Sequence, residues 1–148
     1  MITVAHKVGR LVEVRIFTPV TVEEIQSMAQ QISLAYAACS PRQVIGCTDL
    51  RGANLFPVEL ADQVAAFMKR GNPRTERNGF IVGESALFSL QVERVVREAG
   101  SPSRRTFRGR RELEGWLGEV LSALEQQRLS SFLDEGEQAL VSLRRRAG

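Results

Sequence analysis

Two groups of residues in this chain have the types and spacing to do chemistry. The first is the pair of carboxylates in TDLRGANLFPVELADQ, residues 48–63, where Asp49 ends an apolar run and Glu59 lies just inside a following helix. Two acids facing each other across a loop could act as proton donor and acceptor. That work also needs a group to tune the donor and another to stabilise the developing charge. No histidine, lysine or second polar anchor stands near either acid in the sequence, so the constellation is incomplete and no catalytic residue is assigned.

The second group is the arginine cluster Arg104, Arg105, Arg108, Arg110 and Arg111. Guanidinium groups suit bidentate contact with carboxylate or phosphate. Arg108 to Arg111 precede or open a helix, whose free N–H groups already favour anions. Packing cations there opposes the helix dipole unless a negative group compensates. Three compensations are open: Glu112, Glu114 and neighbouring acids on a solvated face, the acidic surface of a protein partner, or nucleic acid or a phosphorylated ligand. Phe107 is the one aromatic residue available for base stacking, and no duplex-binding motif accompanies the cluster.

The remaining reactive side chains offer less. Cys39 and Cys47 lack a CxxC partner and read as small core residues. His6 has no second ligand at metal spacing, so neither a metal nor a cofactor is expected. Ser85 lies in GES rather than the GxSxG frame of a nucleophile elbow, and suits a helix N-cap.

The chain has 148 residues, enough for a self-sufficient core, and a formal net charge of +3. The charge is uneven: Lys69 to Arg111 holds eleven basic residues against four acidic ones. No apolar run approaches the length needed to span a bilayer, and MITVAHKVGR lacks the apolar core of a secretory signal. A cytoplasmic location without membrane insertion is expected.

The elements that must position these residues follow from periodicity. ITVAHK and RLVEVRIF form a hairpin about Val8-Gly9. In its second strand Leu11, Glu13 and Arg15 face one way, and Val12, Val14 and Ile16 the other. Thr21 and Glu24 form a capping box for a helix with Ile25, Met28, Ile32 and Ala35 on its apolar face. QVIGCTDL and GFIVGES are buried strands. Each leads into a helix, one with Leu60, Val64, Phe67 and Met68, the other with Phe88, Val92, Val95, Val96 and Ala99. Pro57 is expected at the first helical position. RRTF is a charged edge strand, followed by a helix with a stripe from Leu113 through Trp116, Leu117, Val120 and Leu121 to Leu124. The order β-β-α-β-α-β-α-β-α plus a last helix implies an α/β fold with a mainly parallel sheet covered by helices. Its strand-to-helix loops lie along one edge, where ligands of such folds bind.

That order resembles a STAS-type domain of the SpoIIAA-like family from Met1 to about Leu124. The similarity rests on GRLVEVRIFTPVTVEEIQSM, VIGCTDLRGANLFPVEL, GFIVGES and RTFRGRRELEGWL. It implies a STAS-like domain over residues 1–126 and an amphipathic C-terminal helical extension over 127–148, with a basic tail. In the family's anti-sigma antagonists, a serine at a helix N-terminus is phosphorylated by a partner kinase. The family's DLSG resembles Asp49-Leu50-Arg51-Gly52, and its DSSG falls on Pro57-Val58-Glu59-Leu60. Val58 occupies the acceptor position and has no hydroxyl to phosphorylate.

The resemblance implies a non-enzymatic, bacterial regulatory and signalling module that binds a protein partner. Its docking surface would comprise Asp49, Arg51, Asn54, Phe56 and Glu59, with Arg104, Arg105, Arg108, Arg110 and Arg111 as a second part. Asp49 has an alternative role as a loop cap, Glu59 as a helix-dipole partner, and Phe56 as a core residue. The extension, with Leu129, Phe132, Leu133, Leu140 and Leu143 on one face and Gly136 interrupting it, would pack on its own domain, on a second copy or in a partner's groove. The competing function is binding of a small apolar ligand, lipid or acyl, between sheet and helices. Nucleic-acid binding through the arginines stands third.

Overall fold

The computed structural model describes residues 1–148 and contains one five-stranded sheet. In chain order the elements are β1 (Ile2–Val8), β2 (Leu11–Phe17), α1 (Val22–Cys39), β3 (Val44–Gly52), α2 (Val58–Gly71), a 3-10 turn (Asn72–Arg74), β4 (Thr75–Val82), α3 (Ala86–Ala99), β5 (Arg104–Phe107), α4 (Arg110–Gly118) and α5 (Ala123–Ala147). The spatial order is β1-β2-β3-β4-β5. β1 pairs antiparallel with β2 through the hairpin, and every later pairing is parallel. This is the α/β architecture that the alternating elements predict.

The period-2 alternation of β2 decides which helices cover which face. Val14 and Ile16 pack with Ile25, Met28, Leu60, Met68, Phe88 and Val92 from α1, α2 and α3. Leu11 packs with Leu113, Leu117, Leu129, Phe132 and Leu133 from α4 and α5, on the opposite face. β4 divides in the same way, with Phe80 and Val82 in the first cluster and Ile81 in the second. Between them, Gly79 lies so close to α4 that a Cβ there would overlap Leu113 Cδ1. A side chain at this position would have to displace the buried Leu113 side chain.

Local capping explains the helix starts. Thr21 Oγ1 accepts from Glu24 N at 3.1 Å, while Thr21 N donates to Glu24 Oε1 at 3.1 Å, the reciprocal box that the sequence predicts. Pro57 is the N-cap of α2 rather than its first helical residue, a displacement of one position. The stripe from Leu113 to Leu124 is not one helix. α4 ends at Gly118, and Ser122 with Glu125 forms a second capping box that starts α5. Leu124, expected on the apolar stripe, is 68% exposed as a result. The Ser-x-x-Glu signal is present in the sequence, but the hydrophobic period runs across it.

α5 is longer than expected and belongs to the core. The boundary drawn after residue 126 falls within its first turns, and the residues beyond it supply Leu129, Phe132 and Leu133 to the cluster beneath α4. The last eight residues, 141–148, are all exposed.

Leu133→Ala should lower the unfolding free energy by about 2–5 kcal/mol, because the side chain is fully buried and its loss leaves a cavity. Deleting Arg144 to Gly148 should change it by less than about 0.5 kcal/mol. Urea denaturation of the two variants beside the parent chain measures both.

Candidate functional site

The carboxyl end of β3 holds a charge cluster rather than an open loop. Asp49 points to the face covered by α5 and is 2% exposed. Arg51 donates to Asp49 Oδ1 from Nε at 2.9 Å and from its backbone N–H at 3.1 Å, and to Oδ2 from Nη2 at 3.0 Å. Arg15 donates to Asp49 Oδ2 from Nε at 3.1 Å. The same guanidiniums reach α5: Arg15 donates to the Phe132 carbonyl, and Arg51 to the Leu133 carbonyl at 2.9 Å. Arg15 also stacks over the Phe132 ring, 4.1 Å from its centroid.

Burial raises the Asp49 carboxyl, but the hydrogen bonds and charge of Arg51, with Arg15, overcome it and hold the group below its ordinary value. Gly136 lies directly over this cluster, where a Cβ would overlap Asp49 Oδ2 and meet Arg51 Nη2 at 2.6 Å. The glycine that interrupts the apolar face of α5 is therefore the point at which the helix closes on the buried ions.

The five residues expected in the first part of the docking surface have different surroundings. Asp49 is covered by α5, and its two arginines are committed beneath that helix. Phe56 is half-buried, with its ring edge-on to Phe88 at 5.6 Å and its backbone N–H and carbonyl both bonded to the Gln91 amide. It packs against the α1–α3 core rather than standing out as an exposed anchor. Asn54 and Glu59 are exposed. Asp49 and Glu59 do not converge, because α2 packs against the opposite face of the sheet from Asp49.

The arginine cluster is also divided, by the alternation of β5. Arg104 is 7% exposed and faces the α1–α3 side. It donates to Asn72 Oδ1 at 2.8 Å, Asn78 Oδ1 at 2.7 Å, the Met68 carbonyl at 2.9 Å and Thr75 Oγ1 at 3.4 Å. None of these partners is an acid, and burial pushes its pKa down. Arg105 faces the other way, over the Trp116 ring at 4.8 Å. Arg110 is neutralised by Glu114 at 3.2 Å and, from α5, by Asp134 at 2.6 Å and Glu137 at 3.0 Å. Those α5 acids compensate the helix start in a way the local sequence does not reveal. Arg105, Arg108 and Arg111 remain exposed.

A cavity of about 380 Å³ lies between the sheet and α1, α2 and α3, the layer in which the competing small-ligand reading places its site without naming the residues that line it. Nineteen of its 28 lining residues are hydrophobic, which makes it an apolar site. One end is formed by Ile16, Leu50, Phe56, Phe80 and Val92. The other contains Tyr36, Asn78, Arg70, Arg74 and Arg104. The exposed lining residues Ser33, Ala37 and Arg70 place the opening between α1 and α2.

No group of three His, Cys, Asp or Glu side chains is gathered as metal ligands would be. Cys39 and Cys47 are free and buried, and burial raises the pKa of both thiols. No helix is long and apolar enough to cross a membrane.

Together the hairpin, the parallel strands and the two helical layers define a SpoIIAA-like fold. The chain is similar to the crystal structure of an uncharacterised protein of the DUF3478 family, with a SpoIIAA-like fold, from Shewanella loihica PV-4. The two share 16% sequence identity with a TM-score of 0.58, over 79% of this chain and 92% of the other. No protein-family model matches the chain, and no curated protein matches it in sequence.

Gly136→Ala should destabilise the protein by about 1–3 kcal/mol through overpacking, although alanine favours an exposed helix by about 1 kcal/mol over glycine. Asp49→Ala should cost about 3–5 kcal/mol by leaving Arg15 and Arg51 unpaired. Because the folded-state pKa of Asp49 is depressed, its contribution is complete at neutral pH and is lost as the pH falls below about 4. Chemical denaturation from pH 7 to pH 3 should show that the Asp49→Ala chain loses less stability on acidification than the parent.

Proposed function

We propose that this protein binds a small apolar molecule of lipid or acyl type in the cavity between its sheet and α1–α3. The observation that carries the reading is the cavity itself. Its volume of about 380 Å³ lies in the range of ligand sites, and its walls are mostly aliphatic and aromatic. An unfilled space of this size forfeits dispersion contacts that the rest of the core makes. An apolar occupant restores them and removes its own surface from water.

The reading also accords with how the polar groups are spent. Asp49 and Arg51 are used beneath α5 and are not available to a partner at the edge that would serve a docking module. No set of groups in the cavity has the arrangement of an acid, a base and a charge stabiliser, and the function proposed is binding rather than catalysis.

Protein docking is the second reading, and one observation favours it. Leu55 and Val58 before and at the start of α2, and Leu87 and Leu90 on α3, are 51–67% exposed. The Phe56–Gln91 hydrogen bonds tie these two segments together. Regulation through such a face would be constitutive, since Val58 carries no hydroxyl.

Nile red, a neutral polarity-sensitive dye, should bind the parent chain with a saturable rise in emission. Val95→Trp fills space at the cavity wall and should weaken that binding by about tenfold or more, as loss of a well-buried apolar contact surface implies. Circular dichroism should show both chains folded. Leu87→Asp should leave dye binding unchanged and abolish any self-association seen by sedimentation. Unchanged dye binding in the Val95→Trp chain would contradict the cavity reading.

A further inference from the structure

The cavity lining contains three guanidinium groups and no carboxylate. None of Arg70, Arg74 and Arg104 has an acidic partner within salt-bridge distance, whereas Arg10, Arg15, Arg51, Arg77, Arg94, Arg110 and Arg128 all do. Arg70 is exposed and Arg74 half-buried, so water screens them in part. Arg104 is different, because it is more than nine-tenths buried and its hydrogen bonds go only to neutral oxygens.

A buried charge without a countercharge is costly, and proteins ordinarily pair it. The helix ends at this side of the cavity answer only part of the deficit. Arg104 donates to the Met68 carbonyl near the end of α2, and Arg74 to the Tyr36 carbonyl near the end of α1 at 3.3 Å. Two helix C-termini supply about one negative charge between them, against three arginines. The polar end of an otherwise apolar cavity thus retains a positive surplus.

The positions of these residues give the site a direction. Arg104 passes beneath Gly71, where an added Cβ would lie 3.5 Å from Arg104 Nη2 and 3.7 Å from the Tyr36 ring. Gly71 places no side chain over the Arg104 guanidinium, whose Nε and Nη2 hydrogens are taken by Asn72, Met68 and Thr75 and whose Nη1 keeps one N–H beyond its bond to Asn78. From there the walls become mostly apolar towards Leu50, Phe56 and Val92, with Thr48 and Gln91 as the polar exceptions. A volume of about 380 Å³ is near the low end for ligand sites and suits one hydrocarbon chain rather than two.

Resting on the cavity reading above, we infer that the ligand is a single-chain carboxylate of fatty-acid type. Its carboxylate pairs with Arg104 at the Arg70–Arg74 end, and its chain runs along the sheet towards Phe56. A carboxylate, with one charge and two oxygens, suits the single N–H that Arg104 has left better than a phosphate with three oxygens and nearly twice the charge.

The test uses the full chain and three probes of equal chain length: dodecanoate, dodecanol and dodecyl phosphate, each competing with Nile red at pH 7. Dodecanoate should bind about tenfold or more tightly than dodecanol, as a hydrogen bond to a charged group implies, and more tightly than dodecyl phosphate. Arg104→Gln should bring dodecanoate to within about twofold of dodecanol, since the charge that distinguishes the two heads is removed.

A second measurement needs no variant and covers the case in which Arg104→Gln does not fold. Carbon-13 NMR of carboxyl-labelled dodecanoate bound to the parent chain should show the carboxyl titrating about 1 pH unit or more below the free acid, as a neighbouring cation requires. Equal affinity for acid and alcohol, or an unshifted carboxyl titration, would overturn the carboxylate assignment while leaving the apolar cavity in place. Tighter binding of the alkyl phosphate would overturn it in favour of a phosphate head. Binding of none of the three, with no dye binding either, would overturn the cavity reading itself.

Discussion

The ion cluster of Asp49, Arg15 and Arg51 joins a pair of neighbouring strands to the last helix of the chain. Arg15 comes from β2, Asp49 and Arg51 from β3, and both guanidiniums continue to carbonyls of α5. A single carboxylate thus ties two backbone-paired strands to the seat of the last helix. The arrangement works because every group is satisfied: a buried ion pair left incomplete would weaken the fold, and replacement by aliphatic side chains would remove its directionality. Arg128 repeats the pattern one step along, binding Glu13 of β2 at 2.7 Å through both Nε and Nη2. α5 is attached to the sheet by these polar contacts as well as by Leu129, Phe132 and Leu133.

The two faces of the sheet consequently have different characters. Beneath α4 and α5 the contacts are close, and at Gly79 and Gly136 an added Cβ would overlap a neighbouring side chain. Beneath α1, α2 and α3 the packing leaves a cavity, bounded by partly buried residues such as Ile32, Val64, Val95 and Val96. Tight packing on one side fixes the sheet. The opposite layer is then free to leave space without risking the fold. Division of labour between a rigid face and a receptive face is a sound way to place a binding site on a small domain.

Much of the fold was legible because it is local. The alternation of β2, the Thr21–Glu24 box and the apolar stripes of α1–α3 are short-range patterns, and the elements form where those patterns lie. The end of α4 was obscured because the period of Leu113, Leu117 and Leu121 continues smoothly into Leu124, while the stop depends on Ser122 and Glu125. The candidate site was less legible. A strand-end aspartate followed by an arginine reads equally well as a docking edge or a buried clamp, and the choice rests on α5 arriving from more than eighty residues away. Arg104 and Arg105 are neighbours in sequence but face opposite layers, so a cluster of arginines in the sequence became separate environments in the fold. The cavity has no sequence signature of its own, because it depends on the spacing between helices rather than on the identity of any one residue.

Both native thiols lie within packed regions, and burial raises their pKa, so each is held in its unreactive protonated form at neutral pH. Ser33 and Ala37, in contrast, stand in solvent at the cavity opening. A cysteine introduced at either position would be the one fast-reacting thiol on the molecule. The native chain therefore needs no prior removal of cysteine for site-directed fluorescence: a dye at the opening would report occupancy against a dark background.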